Sequence, residues 1–223
     1  MEIVAHMAAS DGPRRTPGAA ALSAALAGPA GRVELDVFAL DGRLVVAHDR
    51  REAARPGGLT LADALAIVVP SGRGLLADIK GAGVARLLGR AIADHELGLR
   101  TIVCGVLDEV ELACRGSGAT PAWTLPSGSF GRVTRRSRDR VRKAAVAGLE
   151  AGRLAAVSVE HRSVTADLVD DVHRAGGRVL AWTVDDLRTA RRLAGLGVDE
   201  LITNQPDLLA ASIAAGSAQW SDG

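Results

Sequence analysis

A single (β/α)8 barrel is the fold predicted for this chain of 223 residues, and three observations predict it. Short aliphatic or β-branched runs alternate with longer Ala/Leu/Arg stretches of helical period, eight such pairs follow one another, and polar residues gather where the runs end. Barrels of this kind take about 250 residues, so one domain fills the chain. It is expected over residues 1–215, with 216–223 as a frayed tail that lacks periodicity. The first four units are less evenly spaced than the last four, which leaves a doubly wound open sheet as the alternative.

The strands are expected near 3–6, 32–38, 74–79, 100–105, 120–125, 155–160, 178–184 and 200–203. Asp41-Gly42 signals a tight turn, so the second strand continues as a hairpin whose return arm, Leu44 to Ala47, delivers His48 to the same rim. Helices are expected over 18–27, 61–69, 84–96, 108–115, 139–151, 165–175, 186–194 and 207–214. Asp186 stands where an N-cap belongs, and Gly176-Gly177 and Gly195-x-Gly197 stand where helices should stop.

Composition narrows the function classes. The net charge of +1 gives no basic footprint for nucleic acid, so no nucleic-acid partner is expected. No run reaches the roughly 18 uncharged apolar residues of a membrane span. The opening Met1 to His6 lacks the basic start and apolar run of a secretory signal, so a cytoplasmic location is expected. Cys104 and Cys114 are the only cysteines, too few for a disulfide framework or a zinc site, and are read as packing residues.

The chemistry is expected at the carboxyl ends of the strands, where barrel enzymes build their sites. His6 follows the first strand, Glu34 and Asp36 lie on the second, His48 follows the hairpin, and Asp78 and Lys80 close the third. Residues two apart on a strand point to the same side, so Glu34 pairs with Asp36 and Asp78 with Lys80. Three carboxylates facing one cavity repel one another, and a hard divalent cation with oxygen ligands, Mg2+ or Ca2+, relieves that repulsion. Such a cation and Lys80 together would suit a phosphate group, while His6 and His48 would serve as acid and base near neutral pH.

These residues resemble the glycerophosphodiester phosphodiesterases. The likeness is carried by Ile3-Val4-Ala5-His6, Val33-Glu34-Leu35-Asp36-Val37, Asp41-Gly42-x-Leu44-Val45-Val46-x-His48-Asp49 and Asp78-Ile79-Lys80. It continues through Ala181-Trp182-Thr183-Val184-Asp185-Asp186 and Gly197 to Pro206, and so covers nearly the whole chain. The resemblance implies metal binding by Glu34, Asp36 and Asp78, acid–base work by His6 and His48, and a substrate pocket lined by Lys80 and Trp182. The implied substrate is a small phosphodiester or a lysophospholipid-like molecule, with transient contact to a membrane surface.

Departures from the family pattern are equally readable. Met7 stands where a phosphate-binding arginine is expected, and the Pro-Glu-Asn-Thr segment is missing near Arg14 to Gly18. Asp78 replaces a commoner Glu, and the insertion after the second histidine shrinks to Arg50 to Gly58. His-Met and Asp-x-Lys also resemble the sphingomyelinase D branch of the superfamily, which implies an alternative product, a cyclic phosphate. A barrel that binds an anion without turning it over is the third reading. Arg162, after the sixth strand, is expected to offer phosphate the guanidinium that position 7 does not. Asn204 is read as a helix cap and left out of the site. The basic run Arg132 to Lys143 is read as a solvated helix face, with overhang of the rim, drawing in anions, as the alternative.

Overall fold

Each strand carries two apolar stripes, because successive side chains face opposite sides of the sheet and both sides are covered. The computed structural model describes residues 1–9, 18–126 and 135–216. Among them β1 (Glu2–Ala5), β2 (Arg32–Leu40), β4 (Gly74–Ile79), β5 (Thr101–Gly105), β6 (Thr120–Thr124), β7 (Ala156–Glu160), β8 (Arg178–Trp182) and β9 (Glu200–Thr203) run parallel. β1 pairs with β2 on one side and β9 on the other, so the sheet closes. Closure decides for the barrel over the open sheet. β3 (Arg43–Val46) is the antiparallel return arm of the expected hairpin, and both turn residues, Asp41 and Gly42, have the positive φ that a turn between twisted strands requires.

Helices follow the strands as expected: α1 (Ala19–Ala27), α3 (Leu61–Ser71), α4 (Val84–Asp94), α5 (Leu107–Cys114), α6 (Arg135–Glu150), α7 (Ala166–Arg174), α8 (Leu187–Gly195) and α9 (Pro206–Gly216). A short helix not expected, α2 (Arg50–Ala53), starts where Asp49 accepts the Glu52 N–H at 2.8 Å. Asp186 caps α8 through the Thr189 N–H at 2.8 Å, as its position suggested. Beyond α7 the chain turns through Gly176 at positive φ.

The core has two parts. Leu35, Leu75, Ala77, Val103, Val157, Val179 and Leu201 face outward against the helices. Val4, Leu76, Ile102, Cys104, Ala122, Ala156, Leu180 and Ile202 fill the barrel itself. Burying each large side chain stabilises the fold by roughly 1.5–3 kcal/mol before chain entropy is set against it. Below this plug the strand starts are charged: Arg32 Nε lies 3.0 Å from Glu200 Oε2, Arg178 3.0 Å from Glu200 Oε1, and Arg32 3.1 Å from Glu2. Above it, the same inward parity carries Glu34, Asp36 and Asp78 to the opposite mouth.

Residues 14–17, where the Pro-Glu-Asn-Thr segment is missing, lie outside the described residues. So do residues 127–134, which hold the start of the basic run and its leading loop, and the tail from 217. Among the described residues no helix is long and apolar enough to cross a membrane.

Candidate active site

Register builds the carboxylate cluster. β2 and β4 pair with Asp36 opposite Asp78 and Glu34 opposite Leu76, so both acids of β2 face the interior beside Asp78. One oxygen from each of Glu34, Asp36 and Asp78 lies within 4.8 Å of the others. Glu34 and Asp36 are buried, and Asp78 is half-buried. Lys80, whose backbone N–H still bonds Val37 O at 3.0 Å, turns its ammonium onto Asp78 at 2.7 Å and Asp36 at 3.0 Å.

Burial, then the neighbouring Asp36 and Asp78, pushes the Glu34 carboxyl well above its ordinary range; the Met7 N–H and Lys80 only partly oppose this. Burial also raises Asp78, against the pull of Lys80. Burial would lower the Lys80 ammonium, but Asp78 and Asp36 outweigh it and hold the ammonium above its usual range. Three carboxylates thus face one ammonium at a cost that a bound cation would relieve, and the all-oxygen donor set fits a hard divalent cation.

His6 opens a 3-10 turn (His6–Ala9) directly after β1. Its Nδ1 lies 2.8 Å from Asn204 Oδ1. The Asn204 amide donates to Asp185 Oδ2 at 2.8 Å, and its backbone N–H donates to Asp185 Oδ1 at 2.8 Å. A carboxylate accepts only, so the Asn204 oxygen must face His6, and His6 must donate through Nδ1. That leaves Nε2 for proton transfer. The next residue, Met7, sits at φ 47° and donates its N–H to Glu34 Oε2 at 2.8 Å. At the position where an arginine was expected, the backbone supports the cluster instead. His48 is exposed at the rim, its N–H bonded to Glu52 at 3.1 Å, so α2 anchors it.

One cavity of about 820 Å3 unites these groups. His6, Glu34, Asp36, His48, Asp78, Lys80 and Trp182 all line it, the residues that end strands or repeat at a spacing of two. So do Cys104, Asp185 and Asn204. Asn204, expected only as a helix cap, is a hydrogen-bond partner of His6, and the signal that could have found it is its place directly after the eighth barrel strand. Asp185, just past β8, is a cavity residue that the motifs do not single out. Cys104 packs in the barrel as expected, but its side chain also reaches the cavity floor.

Arg162 is a correction in the other direction. It is exposed in the 3-10 turn His161–Ser163 and is not among the cavity-lining residues. That turn is tied to α8, with Arg192 donating to His161 O at 2.7 Å. In the described part of the basic run, Arg142 pairs with Asp171 at 2.7 Å and, with Arg138, borders a separate cavity of about 310 Å3.

Comparison with known proteins bears on the family likeness and the fold. Residues 119–208 match the sequence model of the Glycerophosphoryl diester phosphodiesterase family. That match lies in the second half of the chain, from the strand that begins at Thr120 to the start of the last helix. YhdW of Bacillus subtilis, which carries the glycerophosphodiester phosphodiesterase name, is 24% identical over 141 residues, 61% of this chain and 54% of its own length. The chain thus spans about half the length of that relative. Among solved structures, an Agrobacterium tumefaciens protein bearing the glycerophosphoryl diester phosphodiesterase name superposes with a TM-score of 0.80 at 18% identity, covering 98% of this chain and 99% of that one. An Oleispira antarctica phosphodiesterase, in complex with its product sn-glycerol-3-phosphate, superposes with a TM-score of 0.73 at 18% identity, covering 96% and 97%. At such identities these two likenesses establish the barrel fold.

Proposed function

We propose that this chain is a member of the glycerophosphoryl diester phosphodiesterase family and a divalent-metal-dependent phosphodiesterase that cleaves a glycerophosphodiester or a related small phosphodiester. The observation that carries the reading is the meeting, in one cavity, of two histidines with three carboxylates whose oxygens lie within 4.8 Å of one another. Glu34, Asp36 and Asp78 would hold Mg2+ or Ca2+, which when bound supplies charge withdrawal from a nonbridging phosphate oxygen.

The remaining work falls to the chain's own groups. Lys80 donates to the phosphate and is the positive side chain at the cavity floor. His6, kept in one tautomer by Asn204, has Nε2 free to take or give a proton. His48, exposed at the rim, lines the same cavity. One imidazole removes a proton from the attacking water as its oxygen bonds phosphorus, the other protonates the leaving oxygen as its bond to phosphorus breaks, and the products are an alcohol and a phosphomonoester; the two imidazoles then exchange their proton with solvent for the next turnover. Trp182, half-buried at the end of β8, offers an apolar wall to the alcohol group.

The test is release of sn-glycerol-3-phosphate or the corresponding monoester from glycerophosphodiesters with Mg2+ or Ca2+ present. Turnover that vanishes with chelator and in His6→Ala and His48→Ala supports the reading. Binding of phosphodiester without turnover in the wild type sinks it and leaves an anion-binding barrel. Phosphorus NMR separates a monoester product from a cyclic phosphate.

A further inference from the structure

Lys80 occupies a place that the proposed chemistry does not explain by itself. A lysine meant only for substrate could point into the open cavity, yet its Nζ lies 2.7 Å from Asp78 Oδ2 and 3.0 Å from Asp36 Oδ1. These are two of the three carboxylates that a divalent cation would use. Glu34 is bound instead to the Met7 N–H at 2.8 Å. An ammonium has three donors, so two are taken by the cluster and one is left for a phosphate oxygen.

Resting on the metal-site reading above, we infer that Lys80 is the resident counter-cation of the carboxylate cluster and keeps its hold on a divalent cation loose and exchangeable. Three clustered carboxylates without an ammonium would bind a hard cation more tightly, because like charges a few ångströms apart in a half-buried site repel strongly. When the cation arrives, repulsion shifts the ammonium off Asp36 and Asp78 toward the cavity, where a phosphate oxygen is its next acceptor. Cation and phosphate binding are thereby coupled, each favouring the other.

Calorimetric titration with Mg2+ and with Ca2+, without substrate and at about pH 8 so that carboxylates in the ordinary range are ionised, tests this. Lys80→Met is expected to bind the cation about tenfold or more tightly than the wild type. Lys80→Gln, which keeps a donor without the charge, is expected to do the same and serves if the first variant does not fold. The wild type gives a second readout, because lysine occurs only at positions 80 and 143. With lysine 13C-labelled at Cε, and the signals assigned by Lys143→Arg, the Lys80 resonance is expected to move with cation saturation while Lys143 stays still. Cation binding that is equal or weaker in the variants, or that leaves the Lys80 signal unmoved, overturns the counter-cation role alone. No cation binding by any of the proteins overturns the metal site and this inference together.

Discussion

At its amino end the barrel gathers Glu2, Arg32, Arg178 and Glu200, two acids and two bases joined at 3.0–3.1 Å. At its carboxyl end it gathers Glu34, Asp36 and Asp78 against a single lysine, with two histidines alongside. The same alternation of side chains along the same strands produces both. The charges of the first group answer one another. Those of the second are unequal, and the imbalance is held in place by the surrounding barrel. Charge matched within the fold supports stability, whereas charge left over is available to bind and react.

The two mouths should therefore respond to different measurements. Replacing His6 or His48 with alanine at the carboxyl mouth should cost about 10²–10⁴-fold in phosphodiester turnover while urea unfolding stays close to wild type. A matching loss of stability would show that the histidines are structural. At the amino mouth, Glu200→Ala leaves Arg32 with Glu2 alone and Arg178 without its carboxylate, and should cost about 1–3 kcal/mol in urea unfolding. Turnover per folded molecule should be unchanged, and a selective loss of activity would break the division between the mouths.

An intermediate effect is expected at Asn204. Asn204→Leu removes the acceptor that fixes the His6 ring and should lower kcat by about 10–100-fold, the usual range for a partner that orients a reacting side chain. The acidic or basic limb of the kcat profile should also move, which a packing defect alone would not cause. Asp185→Asn should show a smaller version of the same change, since it disturbs the amide of Asn204 one step further out.

The smallest effect concerns pH. The Glu34 carboxyl is raised by the fold, so over the range between its unfolded and folded values the native chain holds a proton that the unfolded chain has released. The stabilisation linked to that proton is complete below the unfolded value and is lost as pH rises through the folded one. In metal-free protein, stability should therefore fall as pH rises across that window and then level off. Glu34→Gln should flatten the slope, and the same slope in the variant would assign it to another group.

Much of this molecule is determined by its sequence alone. The hydropathic alternation locates eight strands and the helices that follow them, and Asp41-Gly42 and Asp186 set a hairpin and a cap, because each depends on neighbours a few residues away. His6, Glu34, Asp36, His48, Asp78, Lys80 and Trp182 could be proposed as cavity residues because each ends a strand or repeats at a spacing of two. Arg162 also follows a strand, yet it is exposed and is not among the residues that line the cavity. Only tertiary structure decided that Asn204 meets His6 across 198 residues of chain, that Asp185 holds Asn204, and that Glu200 lies between Arg32 and Arg178. Closing the barrel brings its first and last strands side by side, and contacts made by closure leave no periodic trace in the chain.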